Sequence, residues 1–138
     1  VCALDLGKAR VGVAVTDDLG LYAHARAPLD GRRRKALLAA IARLAHEEQI
    51  ERFLVGLPLA MSGEHGLAAR LAMAFAEEVA NATGLEVELV DERLSTVEAQ
   101  AQLHASGRTA REFRAQVDGV SAAVVLQSWL DARRAADR

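Results

Sequence analysis

The stretch VCALDLGKARVGVAVT, Val1 to Thr16, holds two apolar runs separated by a glycine and a few charges. Val1 to Leu6 reads as a short strand interrupted by Asp5, Gly7 and Lys8 as a tight turn, and Arg10 to Thr16 as a second, alternating strand. DDLG, Asp17 to Gly20, is turn chemistry, and Leu21 to Ala27 can form a third strand. Three consecutive strands joined by short turns imply an antiparallel meander.

Beyond the meander the apolar period changes. Leu37, Leu38, Ile41, Leu44 and Ala45 share one helical face, predicting an amphipathic helix to about Gln49. Arg52 to Pro58 (RFLVGLP) is a short apolar strand ended by Gly56 and Pro58. Ser62 to Thr83 predicts an Ala/Leu-rich helix, with Gly84 where a C-terminal stop belongs. Leu85 to about Val90 predicts the next strand. Ser95 as N-cap with Glu98 makes a capping box for a helix to about Ala105. SGRTAREFR is a polar connector, and Val117 to Arg133 is a last apolar helix. The order β-β-β-α-β-α-β-α-α predicts an α/β fold, a mixed five-stranded sheet flanked by helices, in one domain spanning 1–138.

The 138 residues are 51% hydrophobic and 26% charged, the balance expected of a soluble globular protein. No apolar run approaches the length of a membrane span, so no membrane partner is expected. The chain has no charged-then-apolar leader, but it opens already inside a strand-like run, so residues upstream of Val1 are expected. One cysteine, Cys2, rules out an intrachain disulfide and fits a reducing, cytoplasmic setting; it reads as a small apolar strand residue. The net charge of -2 gives no global attraction to nucleic acid, so an anionic partner would need a local basic patch.

The acids are less easily explained by packing. Asp5 stands in VCALDLG, whose other non-glycine residues are all apolar; it is either hydrogen-bonded to the adjacent turn or part of a site. Asp91 and Glu92 end a strand, where sites gather in sheets with helical crossovers, although one acid there could serve the dipole of the following helix. They alternate across the strand, so only one of them is expected to enter a site. Asp118, near the start of the last helix, could be a first-turn acid. Converging at one sheet edge, the carboxylates would repel one another unless divalent cations neutralised them, and all-oxygen ligands favour Mg²⁺ or Mn²⁺. His24, His46, His65 and His104 are scattered, with no zinc-like spacing.

Four blocks resemble, in order, those of the YqgF/RuvX family: ALDLGKARVGVAVTD (Ala3 to Asp17), VGLPLAMSGEHG (Val55 to Gly66), VDERLST (Val90 to Thr96) and VDGVSAAVVLQSWLD (Val117 to Asp131). Members of that family are described as Holliday-junction resolvases and as pre-16S ribosomal RNA nucleases. The resemblance implies a ribonuclease H-like fold and an acidic, Mg²⁺- or Mn²⁺-dependent nuclease site, with catalytic and metal-binding roles falling on Asp5, Glu92 and Asp118. The chain departs from the family pattern at Ala60 and Ser62, where Asn and Asp are frequent, which puts side-chain contacts to substrate from that loop in question.

Basic residues then take on a second reading. Arg10, Arg93, Arg108, Arg111 and Arg114 could hold phosphates beside the acids. Arg32 to Lys35 crowd the first helix's N-terminus, where the dipole disfavours cations, so they either serve a partner or remain in the preceding loop. Aromatics are few, and Phe75 and Trp129 are expected in the core; recognition should rest on backbone and shape. The expected function is hydrolysis of phosphodiester bonds in structured nucleic acid. The first candidate is 5′-end processing of pre-16S rRNA in ribosome biogenesis, by a monomer or homodimer. The alternatives are a Holliday junction resolvase acting on branched DNA, a non-catalytic RNA-binding assembly factor, and a phosphotransferase module. The last is suggested because DLGKARVG resembles the phosphate loop of sugar kinases and actin-like proteins, which normally use two such domains.

Overall fold

The computed structural model describes residues 1–59, 63, 65–92 and 117–136. Five strands, β1 (Cys2–Leu6), β2 (Arg10–Thr16), β3 (Ala23–Asp30), β4 (Arg52–Leu57) and β5 (Glu86–Asp91), form one sheet in the order β3-β2-β1-β4-β5. The meander is antiparallel as expected, while β4 pairs parallel to β1 and β5 parallel to β4. Helices α1 (Arg34–Glu47) and α2 (Leu67–Thr83) supply the crossovers, and α3 (Val117–Ala136) follows later in the chain. The expected helix from Ser95 to Ala105, with its capping box, lies outside the described residues.

Alternation along the strands sorts the core into two layers. Cys2, Leu4, Val11, Val13, Val15, Phe53 and Val55 pack on Leu37 and Ile41 of α1 and on Phe75 and Val79 of α2. Ala3, Ala14, Ala23, Ala25, Leu54 and Val90 face the other way, against Ala122, Ala123, Leu126 and Leu130 of α3. The alanines on this second face bring α3 close to the sheet. Cys2 is fully buried, and burial pushes its thiol up to about 12, as a packing residue requires.

Several boundaries differ from those read in the sequence. β3 begins at Ala23 because Leu21 and Tyr22 belong to the turn: Leu21 N–H donates to Asp17 Oδ1 (2.9 Å) and Asp17 N–H to Tyr22 O (3.1 Å). It continues past Pro28 to Asp30 because it is an edge strand, where a missing N–H is tolerated. A register shift between Val11 and Val13 sets three steps of β3 against two of β2 and absorbs the extra residue. α2 starts at Leu67 with Gly66 as N-cap, later than Ser62, and ends as expected on Gly84 in the left-handed conformation, φ 71°. Phe75 is core, but Trp129 is only half-buried; its indole N–H donates to Glu88 (2.5 Å) and Arg133 stacks on its ring at 4.5 Å.

The direction of α3 bears on the site. Gln127 accepts from Ala23 N–H (2.9 Å), and Arg134 donates to Leu21 O, both where β2 ends and β1 begins. α3 therefore runs against β1. The backbone of Asp118, nine residues before Gln127 and about 13 Å along the helix, lies at the level where β1 ends.

Candidate active site

The parallel strands β1, β4 and β5 all end at one edge of the sheet, and Asp5 stands next to last in β1, the central strand. Asp5 follows Leu4 and precedes Leu6, both on the α1/α2 side, so its side chain emerges on the α3 side in line with Ala3. Its partner on β2 is Gly12. On β4, Leu4 pairs with Val55, so the next residue, Gly56, stands beside Asp5. A glycine on each flank lets another side chain approach the carboxylate closely.

The same alternation decides between the two strand-end acids. Val90 is buried on the α3 side, so Glu92 shares that side and Asp91 takes the other. Glu92 folds back over Gly56: a Cβ on residue 56 would collide with the Glu92 carboxylate oxygen and lie 3.2 Å from its Cγ and Cδ. Through that gap Glu92 reaches Asp5 and hydrogen-bonds to it. Burial, then the hydrogen bond to Asp5, then the charges of Asp5 and Asp91 push the Glu92 carboxyl up to about 7. The neighbouring acid and burial therefore favour the neutral form of Glu92 well above the usual carboxylate range.

Two of the three expected acids are thus brought together, and the backbone of the third, Asp118, begins α3 at the same edge. Among the described residues no group of three His, Cys, Asp or Glu side chains is arranged to hold a metal ion. The described donor set is a crowded all-oxygen pair whose mutual repulsion raises Glu92, chemistry that suits a hard divalent cation able to relieve it. Arg10 opens β2 two residues before Gly12, on the Asp5 side of the sheet, and is exposed. Arg93, Arg108, Arg111 and Arg114 lie outside the described residues, as do Ala60 and Ser62. His24 sits 3.6 Å from Asp17, far from this edge; His46 and His65 are exposed.

Gly12 and Gly56 escape a reading based on motif chemistry. Their importance arises from strand register: each lies beside Asp5 in space while distant in sequence. The signal available was a glycine inside an apolar strand, which marks a close approach of another group.

A mixed sheet in this order, with helices on both faces and acids where β1 and β5 end, defines a ribonuclease H-like fold. The chain belongs to the RuvX family, whose sequence model, described as Holliday junction resolvase, matches residues 1–132. A relative from Anaeromyxobacter sp. (strain Fw109-5) is 52% identical over 132 residues, 96% of each chain. Another, from Picosynechococcus sp. (strain ATCC 27264 / PCC 7002 / PR-6), is 42% identical over 98% of this chain and 94% of its own. Both carry the name "Putative pre-16S rRNA nuclease". Among solved structures, T. thermophilus RuvC in complex with a Holliday junction substrate superposes with a TM-score of 0.57 at 15% identity, covering 98% of this chain and 96% of that one. The fowlpox virus Holliday junction resolvase gives 0.51 at 11% identity, over 96% and 97%. At these identities the likeness is one of fold.

Proposed function

We propose that this protein is a divalent-metal-dependent nuclease that hydrolyses phosphodiester bonds in structured nucleic acid, with Asp5, Glu92 and Asp118 as metal ligands and catalytic acids. The contact between Asp5 and Glu92 carries the reading. Two carboxylates pressed together over a glycine, one pushed up to about 7, form an arrangement that costs stability and has no packing function. Mg²⁺ or Mn²⁺ bound there would supply a Lewis acid for the phosphoryl oxygens and for a water nucleophile.

The chain's own residues set the geometry. Asp5, fixed in the central strand, presents its carboxylate to the edge. Glu92, once ionised, completes an acidic floor with Asp5. Gly56 gives the Glu92 carboxylate its place beside Asp5, and Gly12 puts no side chain between Asp5 and β2. Arg10, on the same side, holds a phosphate against it, and Arg93, Arg108, Arg111 and Arg114 serve the flanking phosphates.

The precursor of 16S ribosomal RNA is the preferred substrate, because the close relatives carry that name; four-way DNA junctions come second, from the family description. The test is calorimetric titration of Mn²⁺ into wild type and an Asp5→Asn/Asp118→Asn variant, followed by cleavage assays on pre-16S 5′-leader RNA and on a four-way junction. Loss of both Mn²⁺ binding and cleavage in the variant is the expected result. Cleavage that survives Asp5→Asn would end the mechanism, and RNA binding indifferent to carboxylates and metal would favour a non-catalytic assembly factor.

A further inference from the structure

Among the described residues, the candidate site has a basic rim on one side. The β1–β2 turn and the loop from β3 into α1 are tied together at the site's edge: Gly31 N–H donates to Ala9 O (2.8 Å), and Arg10 pairs with Asp30 across the strands. Lys8 and Arg10 therefore share a rim with Arg32, Arg33, Arg34 and Lys35, and all six are exposed. Arg32 and Arg34, among others, are engaged within the protein. Arg32 donates from Nε and Nη2 to Asp30 (3.0 and 2.8 Å), and Arg34 stacks on Phe75 at 5.1 Å and lies 3.8 Å from Glu78.

Lys8, Arg33 and Lys35 share with Arg43 and Arg70 the lack of an ion pair among the described residues, but unlike those two they are clustered at the site's edge. Other arginines are engaged. Arg26 pairs with Glu48 (2.7 Å), Arg52 with Glu86 (2.7 Å) and Arg134 with Asp131 (3.9 Å). Among the described residues no ion pair joins Lys8, Arg33 or Lys35 to an acid. Helix chemistry does not call for them either: the first turn of α1 holds no acid, and its N-cap, Arg33, makes no side-chain capping bond. Cations at that end oppose the helix dipole, so the fold gains nothing from the cluster.

We propose that Lys8, Arg33 and Lys35, with Arg10 and the Arg32–Asp30 pair between them, form a track for the phosphodiester chain of the substrate as it leaves the Asp5–Glu92 edge across β2 and β3. The proposal rests on the nuclease reading and extends it from the cleaved bond to the strand beyond. The track crosses two strand spacings, about 10 Å, so it holds successive phosphates and reads no bases.

Binding of a labelled RNA hairpin and of a four-way DNA junction, measured in EDTA from 50 to 200 mM NaCl, tests it. Lys8→Ala/Arg33→Ala is compared with Arg43→Ala/Arg133→Ala, which removes the same charge away from the rim. Each lost phosphate contact lowers the slope of log affinity against log salt by about 0.7–0.9. The rim variant should therefore lose about tenfold less affinity than wild type over that salt range, with the control unchanged. A change with one substrate alone supports the track and names its ligand as RNA or DNA. A rim variant with the wild-type slope, or a control that changes equally, overturns the proposal. Cleavage in the Asp5→Asn protein is read separately. If the rim effect holds while wild type fails to cleave, the track survives and the catalytic reading falls; the converse removes the track alone.

Discussion

Gly56 is the residue on which the proposed chemistry turns. The Glu92 carboxylate occupies the space where a side chain at 56 would begin, so Gly56→Ala must move it away from Asp5. Displacing a ligand by an ångström or removing its support typically costs ten- to a hundredfold in metal affinity or rate, so about that loss is expected in Mn²⁺ binding and cleavage. Shortening the displaced side chain should relieve the collision: Gly56→Ala/Glu92→Asp should bind Mn²⁺ better than Gly56→Ala alone. If the second change makes binding worse, Gly56 acts through the backbone and not through Glu92. The raised Glu92 carboxyl adds a pH dependence. Glu92 rises from an ordinary value of 4.5 to about 7 in the folded protein, so folding favours its protonated form. Its contribution to stability is complete below about pH 4.5 and disappears as pH climbs through 7. Urea unfolding in EDTA should show wild type losing stability relative to Glu92→Gln between pH 5 and pH 8. Parallel curves for the two proteins would mean that Glu92 titrates normally.

At the scale of elements, α3 sets where the third acid begins, and Gln127 sets the height of α3. This glutamine is fully buried; it accepts from Ala23 N–H (2.9 Å) and donates to Asp131 Oδ1 (3.1 Å). Gln127→Leu keeps the volume but leaves the Ala23 N–H without its acceptor, at a cost of about 1–3 kcal/mol. A lowered urea midpoint with unchanged slope checks it, and an unchanged midpoint would mean that water replaces the glutamine. These long-range bonds also mark what the sequence could disclose. The first two strands were legible because their apolar residues alternate, and α1 and the end of α2 because period and Gly84 agree. The ends of β3 were not, because Asp17 draws Leu21 and Tyr22 into a turn and the edge position excuses Pro28. Asp5 and the strand-end acids stood out as charges in apolar runs. Residue chemistry alone left Asp91 and Glu92 open, and only the family resemblance pointed to Glu92. The geometric reason, Val90 beneath α3, needed the fold, as did Gly56, which required β4 beside β1.

Over the whole molecule, a net charge of -2 conceals a dipolar edge: acids where β1 and β5 end, cations on the neighbouring rim. On the proposed reading, that division would let a polyanion approach without neutralising the metal ligands, since the rim would meet phosphates while the floor stays available to a cation. It also ties the site to global stability, because an ion that binds only the folded chain adds its binding free energy to folding. Mn²⁺ at a hundred times its dissociation constant should add about 2.7 kcal/mol, which for a chain of this size raises the melting temperature by roughly 10 °C. The gain should be large at pH 8, where the ion relieves the repulsion between Asp5 and Glu92. It should shrink towards pH 5, where the proton on Glu92 must first be displaced. Thermal melts of wild type and Asp5→Asn/Asp118→Asn at both pH values, with and without Mn²⁺, separate the possibilities. A pH-dependent shift confined to wild type is the expected outcome. An equal shift in the variant would put the ion elsewhere on the surface and leave the carboxylate pair as an unrelieved cost of the fold.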